Sequence, residues 1–82
     1  MMTIEQQLED AIRTLLDKRA DGALISHTDA ARRIGGPRWR SLDVPARRAA
    51  QRLSQNGEIV VSQKGSLVNA LTAKGPLHIR RS

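Results

Sequence analysis

The sequence has 82 residues, enough for one domain and too few for a second. It contains no cysteine, which excludes disulfides and thiolate metal sites and fits a reducing cytoplasm, the expected location. Net charge is +6 and Trp39 is the only aromatic residue, so the core is aliphatic and the interleaved aromatics of a single-strand nucleic-acid binder are missing.

Thr3-Ile4-Glu5-Gln6 reads as a capping box opening a first helix. Ile4, Leu8, Ala11, Ile12, Leu15 and Leu16 then follow the i, i+3, i+4 rhythm of one apolar face. The pattern predicts a helix from about Ile4 to Arg19, with a Glu9–Arg13 pair across one turn and Gly22 as the left-handed cap. Ala23, Leu24 and Ile25 are too short a run for a helix and predict a one-rung strand. Ser26 caps a second helix, with Asp29 in its first turn and Ala30, Ala31 and Ile34 inward. Gly35-Gly36-Pro37 ends it.

A third helix is expected to start near Val44 or Pro45, since proline is tolerated only in the first turn. Asp43 is placed to cap it or to meet its dipole. Ala46, Ala49, Ala50 and Leu53 form its buried stripe, with Arg47, Arg48, Gln51, Arg52 and Gln55 away from that stripe, and Asn56-Gly57 stops it. From Glu58 to Gln63 the period changes to a β-branched strand pattern. Lys64-Gly65 is the turn of a hairpin and Ser66 to Val68 its return strand. After a loop over 71–75, Leu77 and Ile79 alternate with His78 and Arg80 in a last strand. The fold class is therefore α+β, mainly α: three helices, a short strand, a β-hairpin wing and a C-terminal strand. That is the element order of a single winged helix-turn-helix domain spanning residues 1–82.

Several motifs resemble one family. Trp39-Arg40, Arg47-Arg48-Ala49-Ala50, Leu53, Gly57-x-Ile59, Gln63-Lys64-Gly65 and Lys74-Gly75-Pro76-Leu77-His78-Ile79-Arg80 are similar to the signature of the small bacterial family named domain of unknown function 3253. Leu24-Ile25-Ser26 and the segment Ala31 to Gly35 extend the likeness over most of the chain. The resemblance implies a winged-helix fold and assigns no activity.

Charge is unevenly spread. Residues 1–21 hold five acids and three bases, a net of −2, whereas residues 22–82 hold three acids and eleven bases, a net of +8. Such asymmetry is expected of a polyanion-facing part, although eleven arginines among fourteen bases also fit GC-rich codon usage. The expected partner is duplex DNA, with the domain serving as a transcriptional regulator. Arg47, Arg48, Gln51, Arg52 and Gln55 of the third helix would face base edges and phosphates, and Lys64 and Arg80 would add backbone contacts. Arg32, Arg33, Arg38 and Arg40 flank the link between helices two and three and can grip the backbone, while Trp39 is expected to plug the core. The link over 35–44 is longer than the usual three or four residues, so either 39–42 forms an extra turn or the motif is splayed.

The alternative is a protein-interaction module or homodimer, docking through the acidic first helix or the wing edge. Catalysis is not expected. Ser26-His27-Thr28-Asp29 holds triad residue types, but capping explains Ser26 and Asp29 better. His27 and His78 are too few for a zinc set, so no metal or cofactor is expected. No membrane partner is expected either: no apolar run reaches about 20 residues, the N-terminus lacks a signal-peptide pattern, and the most amphipathic helix is the acidic one.

Overall fold

The computed structural model describes residues 1–82, an α+β architecture about half helical. Helix α1 (Ile4–Asp17) precedes a two-residue strand β1 (Ile25–Ser26) and helix α2 (His27–Gly35). A 3₁₀ segment, Gly36–Leu42, leads into helix α3 (Asp43–Gln55). The hairpin strands β2 (Ile59–Gln63) and β3 (Ser66–Leu67) follow, and β4 (His78–Arg81) comes last. The four strands form one antiparallel sheet in the order β1-β4-β2-β3, with Ile79 opposite both Ile25 and Val61.

Local chemistry explains most boundaries. Thr3 and Gln6 form the expected capping box, each side chain accepting from the other's backbone N–H at 3.1 and 2.8 Å. Ser26 and Asp29 build a second box on α2, so both are spent on the helix start. The first helix ends at Asp17, two residues before the expected Arg19, and Gly22 with φ +82° serves the following turn rather than the helix cap. Its expected Glu9–Arg13 pair is also absent. Arg13 instead reaches Asp10 at 3.1 Å and, across the domain, Glu58 at 2.9 Å. This bidentate bridge holds the Glu58 carboxyl below its ordinary value and the Arg13 guanidinium above its own. The long link between α2 and α3 is taken up by 3₁₀ turns on either side of a kink at Arg38 (φ −98°, ψ 17°), the second of them over the expected 39–42.

The core is built from small residues on α2 and α3 and larger ones around them. Ala30, Ala31, Ala46, Ala49 and Ala50 are buried, which lets the helices approach closely while Leu8, Ile12, Leu53, Leu77 and Ile79 fill the space between helices and sheet. Each of these larger aliphatics contributes about 1.5–3 kcal/mol by leaving water. Leu77 and Ile79 point inward and His78 and Arg80 outward, the alternation the sequence predicts.

The hairpin turn carries the one strained side chain. Lys64 and Gly65 have φ of +50° and +80°, the positive pair that a tight two-residue hairpin requires. Gly65 adopts it freely, whereas Lys64 is a β-carbon residue in the left-handed region. Lys64→Asn should therefore raise stability by about 0.5–1 kcal/mol, seen as a higher urea midpoint with unchanged m. A lower midpoint would show that the lysine is favoured by the fold itself.

Candidate functional site

Helix α3 meets the rest of the domain on three sides, and this decides which of its polar residues are free. Ala46, Ala49, Ala50 and Leu53 face the core. Val44, Arg48 and Gln55 lie opposite and are exposed, Val44 by 54%. Arg47 and Arg52 flank the buried stripe on its two sides, and neither is a free cation.

Arg47 departs most from expectation. Its side chain is only 13% exposed and lies inside the protein rather than on an outward face. Its Nε donates to Asp43 Oδ2 at 2.9 Å, and its two terminal nitrogens donate to the carbonyls of Ala73 at 2.6 Å and Gly75 at 2.7 Å. The guanidinium fork thus fastens the 70–75 loop to α3. Gln51 works beside it: its Oε1 accepts from Ala70 N–H at 3.1 Å, leaving only its NH₂ group uncommitted. Arg52 lies against Glu9 of α1 at 3.7 Å, a loose ion pair.

Asp43 and His27 complete this inner network. His27 is 1% exposed. Its Nδ1 accepts from Leu77 N–H at 3.2 Å, which fixes the proton on Nε2, and Nε2–H donates to Asp43 Oδ1 at 2.7 Å. Burial holds the imidazole below its ordinary value of 6.5 despite the carboxylate, and the nearby Arg47 charge acts in the same direction. Burial would raise the Asp43 carboxyl, but the bonds from His27 and Arg47 outweigh it and hold the group below 3.8. The sequence carried a signal for this: His27 stands at i relative to Ala30, Ala31 and Ile34 at i+3, i+4 and i+7, in register with the buried face of α2.

The remaining predicted residues separate in space. Lys64 is exposed at the hairpin tip, beside a groove of about 570 Å³ lined by Gln63, Lys64, Ser66, Lys74 and His78. Gln63 closes one wall by donating to the carbonyls of Lys74 at 2.7 Å and Pro76 at 3.1 Å. Arg80 alternates with buried Ile79 and projects from the face of the sheet opposite the core, so it does not join the α3 row. Trp39 is half-buried against the core, as expected of a plug, yet it also holds the Arg32 and Arg40 guanidiniums over its ring at 4.5 and 4.8 Å.

The charge ledger is lopsided. In residues 22–82 Asp43 and Glu58 are tied to cations and Asp29 to the α2 cap. Arg47, Arg52 and Arg81 have carboxylate partners, Arg81 in Asp17 of α1. Arg32, Arg33, Arg38, Arg40, Arg48, Lys64, Lys74 and Arg80 are exposed and enter no ion pair. No group of three His, Asp or Glu side chains is arranged to hold a metal ion, and no helix is long and apolar enough to cross a membrane.

No curated protein matches this sequence. The family described as "Protein of unknown function (DUF3253)" matches residues 5–82, nearly the whole of the chain, and by that match the chain belongs to the DUF3253 family.

Proposed function

We propose that this is a winged-helix protein that binds duplex DNA, with α3 presented to the major groove and the β2–β3 hairpin as the wing against the backbone. The observation that carries the reading is the set of eight exposed cations without a carboxylate partner in residues 22–82, where all three acids are engaged in ion pairs or a helix cap. On α3 the row available to bases is Arg48, Gln55 and the NH₂ group of Gln51, with Val44 suited to a thymine methyl. Lys64 supports the wing assignment, because its charge stands at a protruding turn in a conformation that asparagine would adopt at less cost. The role is binding rather than catalysis: both ring nitrogens of His27 are engaged, so the His27–Asp43 pair has no free base to offer.

Fluorescence anisotropy with labelled mixed-sequence duplexes tests the reading. With four to six phosphates contacted, log affinity falls against log salt with a slope of roughly −4 to −5. Arg48→Ala should weaken binding about tenfold or more with the fold intact, in line with about 1–3 kcal/mol for a base-contacting arginine. Absence of binding at low salt would refute the proposal. A docking role has one observation in its favour: β3 is an edge strand whose Leu67 is 76% exposed, with Leu71 nearby in sequence 52% exposed. Light scattering that finds a stable dimer, together with intact cellular function of the Arg48→Ala chain, would favour that reading over DNA.

A further inference from the structure

Trp39 is the only aromatic residue, and two arginines share its ring. Arg32 comes from α2 and Arg40 from the 3₁₀ segment, their guanidinium carbons 4.5 and 4.8 Å from the ring centroid. The approach is close at Gly35, where an added β-carbon would lie 2.8 Å from Leu42 Cδ1, the movable end of a side chain. Leu42 and Trp39 both pack against the core and fix the ring in place.

Two like charges held at one ring are an electrostatic liability unless something neutralises them. Neither Arg32 nor Arg40 enters an ion pair, although both are exposed. The π-face orients each planar guanidinium and leaves its N–H edges unused. Such edges match the paired oxygens of a phosphate. The cluster also stands directly before α3: Arg40 precedes Asp43, the first residue of that helix, by less than one turn.

We infer that Arg32, Trp39 and Arg40 form a phosphate-binding clamp that takes a backbone phosphodiester of the duplex beside the N-terminus of α3. The inference rests on the DNA-binding reading and assigns that interface a backbone site distinct from Arg48 and Lys64. Guanidiniums occupy the tryptophan face, so the ring acts as their support and bases do not stack on it.

Because the protein has no tyrosine or phenylalanine, Trp39 emission reports on this site alone. The full chain is titrated with a labelled 16-base-pair duplex while Trp39 emission and duplex anisotropy are followed together. Both signals should move with one midpoint. R32Q/R40Q, checked for folding by circular dichroism, should bind about tenfold or more weakly at 0.1 M salt, with the salt slope reduced by about 0.9 for the one lost phosphate. R32K/R40K should recover part of the affinity, since charge without the fork serves less well. If R32Q/R40Q keeps the wild-type affinity and slope while R48A loses affinity, the clamp is wrong and the DNA reading stands. If the wild type binds no duplex at low salt, both fail. If inorganic phosphate shifts Trp39 emission as fully as duplex does at equal phosphate concentration, the site holds a free anion and the diester assignment is overturned.

Discussion

Replacing Arg47 by alanine should lower the unfolding free energy by about 3–5 kcal/mol, while the same change at its neighbour Arg48 should move it by less than about 0.5 kcal/mol. The contrast follows from what each side chain touches. Arg48 is exposed and unpaired, so its loss removes only surface. Arg47 binds one carboxylate and two backbone carbonyls at 2.6–2.9 Å from a largely buried position. Its removal leaves Asp43 short of a partner and the Ala73 and Gly75 carbonyls without a donor, and frees the 70–75 loop from α3. In a domain with a total stability of about 5–15 kcal/mol that is a large share. Arg47→Lys should recover less than half of the loss, because an ammonium cannot span the carboxylate and both carbonyls in the fork geometry. Urea unfolding at neutral pH measures all three variants, and an Arg47→Ala chain within about 1 kcal/mol of the wild type would refute the assignment. The result also decides how binding data are read: an Arg47 variant would lose the proposed duplex binding by unfolding, whereas Arg48 would probe the proposed interface itself.

The two neighbours also mark what the sequence discloses. Spacing rules are local. They place Thr3 and Gln6 in one capping box, bring Lys64-Gly65 into a turn, and send Leu77 and Ile79 inward, because each depends on residues within a few positions. Helical periodicity likewise separates the Ala46-Ala49-Ala50-Leu53 stripe from the polar side of α3. It cannot say what covers the edges of that polar side. Arg47 is enclosed by carbonyls 26 and 28 residues later, and Arg52 meets a glutamate on α1. Pairings at that distance depend on how the 70–75 loop and α1 pack, so Arg47 and Arg48 look alike in the sequence and differ in the fold. The basic link reads differently again. Four arginines around Trp39 are visible as a composition bias, but the sharing of one ring by Arg32 and Arg40 arises only from the way the 3₁₀ segment folds back on α2.

His27 supplies the second large effect, a loss of stability in mild acid. Its folded-state value lies below the 6.5 of a free histidine because the ring is buried, with Nδ1 already accepting from Leu77 N–H. A proton taken up by the unfolded chain below pH 6.5 is therefore refused by the folded one. Unfolding becomes easier as pH falls through 6.5, by up to roughly 1.4 kcal/mol per pH unit, until the folded-state value is reached. The carboxylates act in a lower window. Glu58 and Asp43 lie below their ordinary values of 4.5 and 3.8, so their contributions persist through mild acid and fade only beneath those values. Between pH 6.5 and 4.5 the slope should thus belong to His27. Urea midpoints measured from pH 7.5 to 4.5 should decline in the wild type. They should stay level in His27→Gln, whose amide keeps a donor for Asp43 and starts about 1–3 kcal/mol less stable at neutral pH. A level wild-type profile, or an imidazole that titrates at or above 6.5 by NMR, would refute the buried neutral histidine. His27 and Arg47 hold Asp43 from two sides and Asp43 opens α3, so a folded chain that refuses the proton keeps this contact through mild acid and the loss is one of stability.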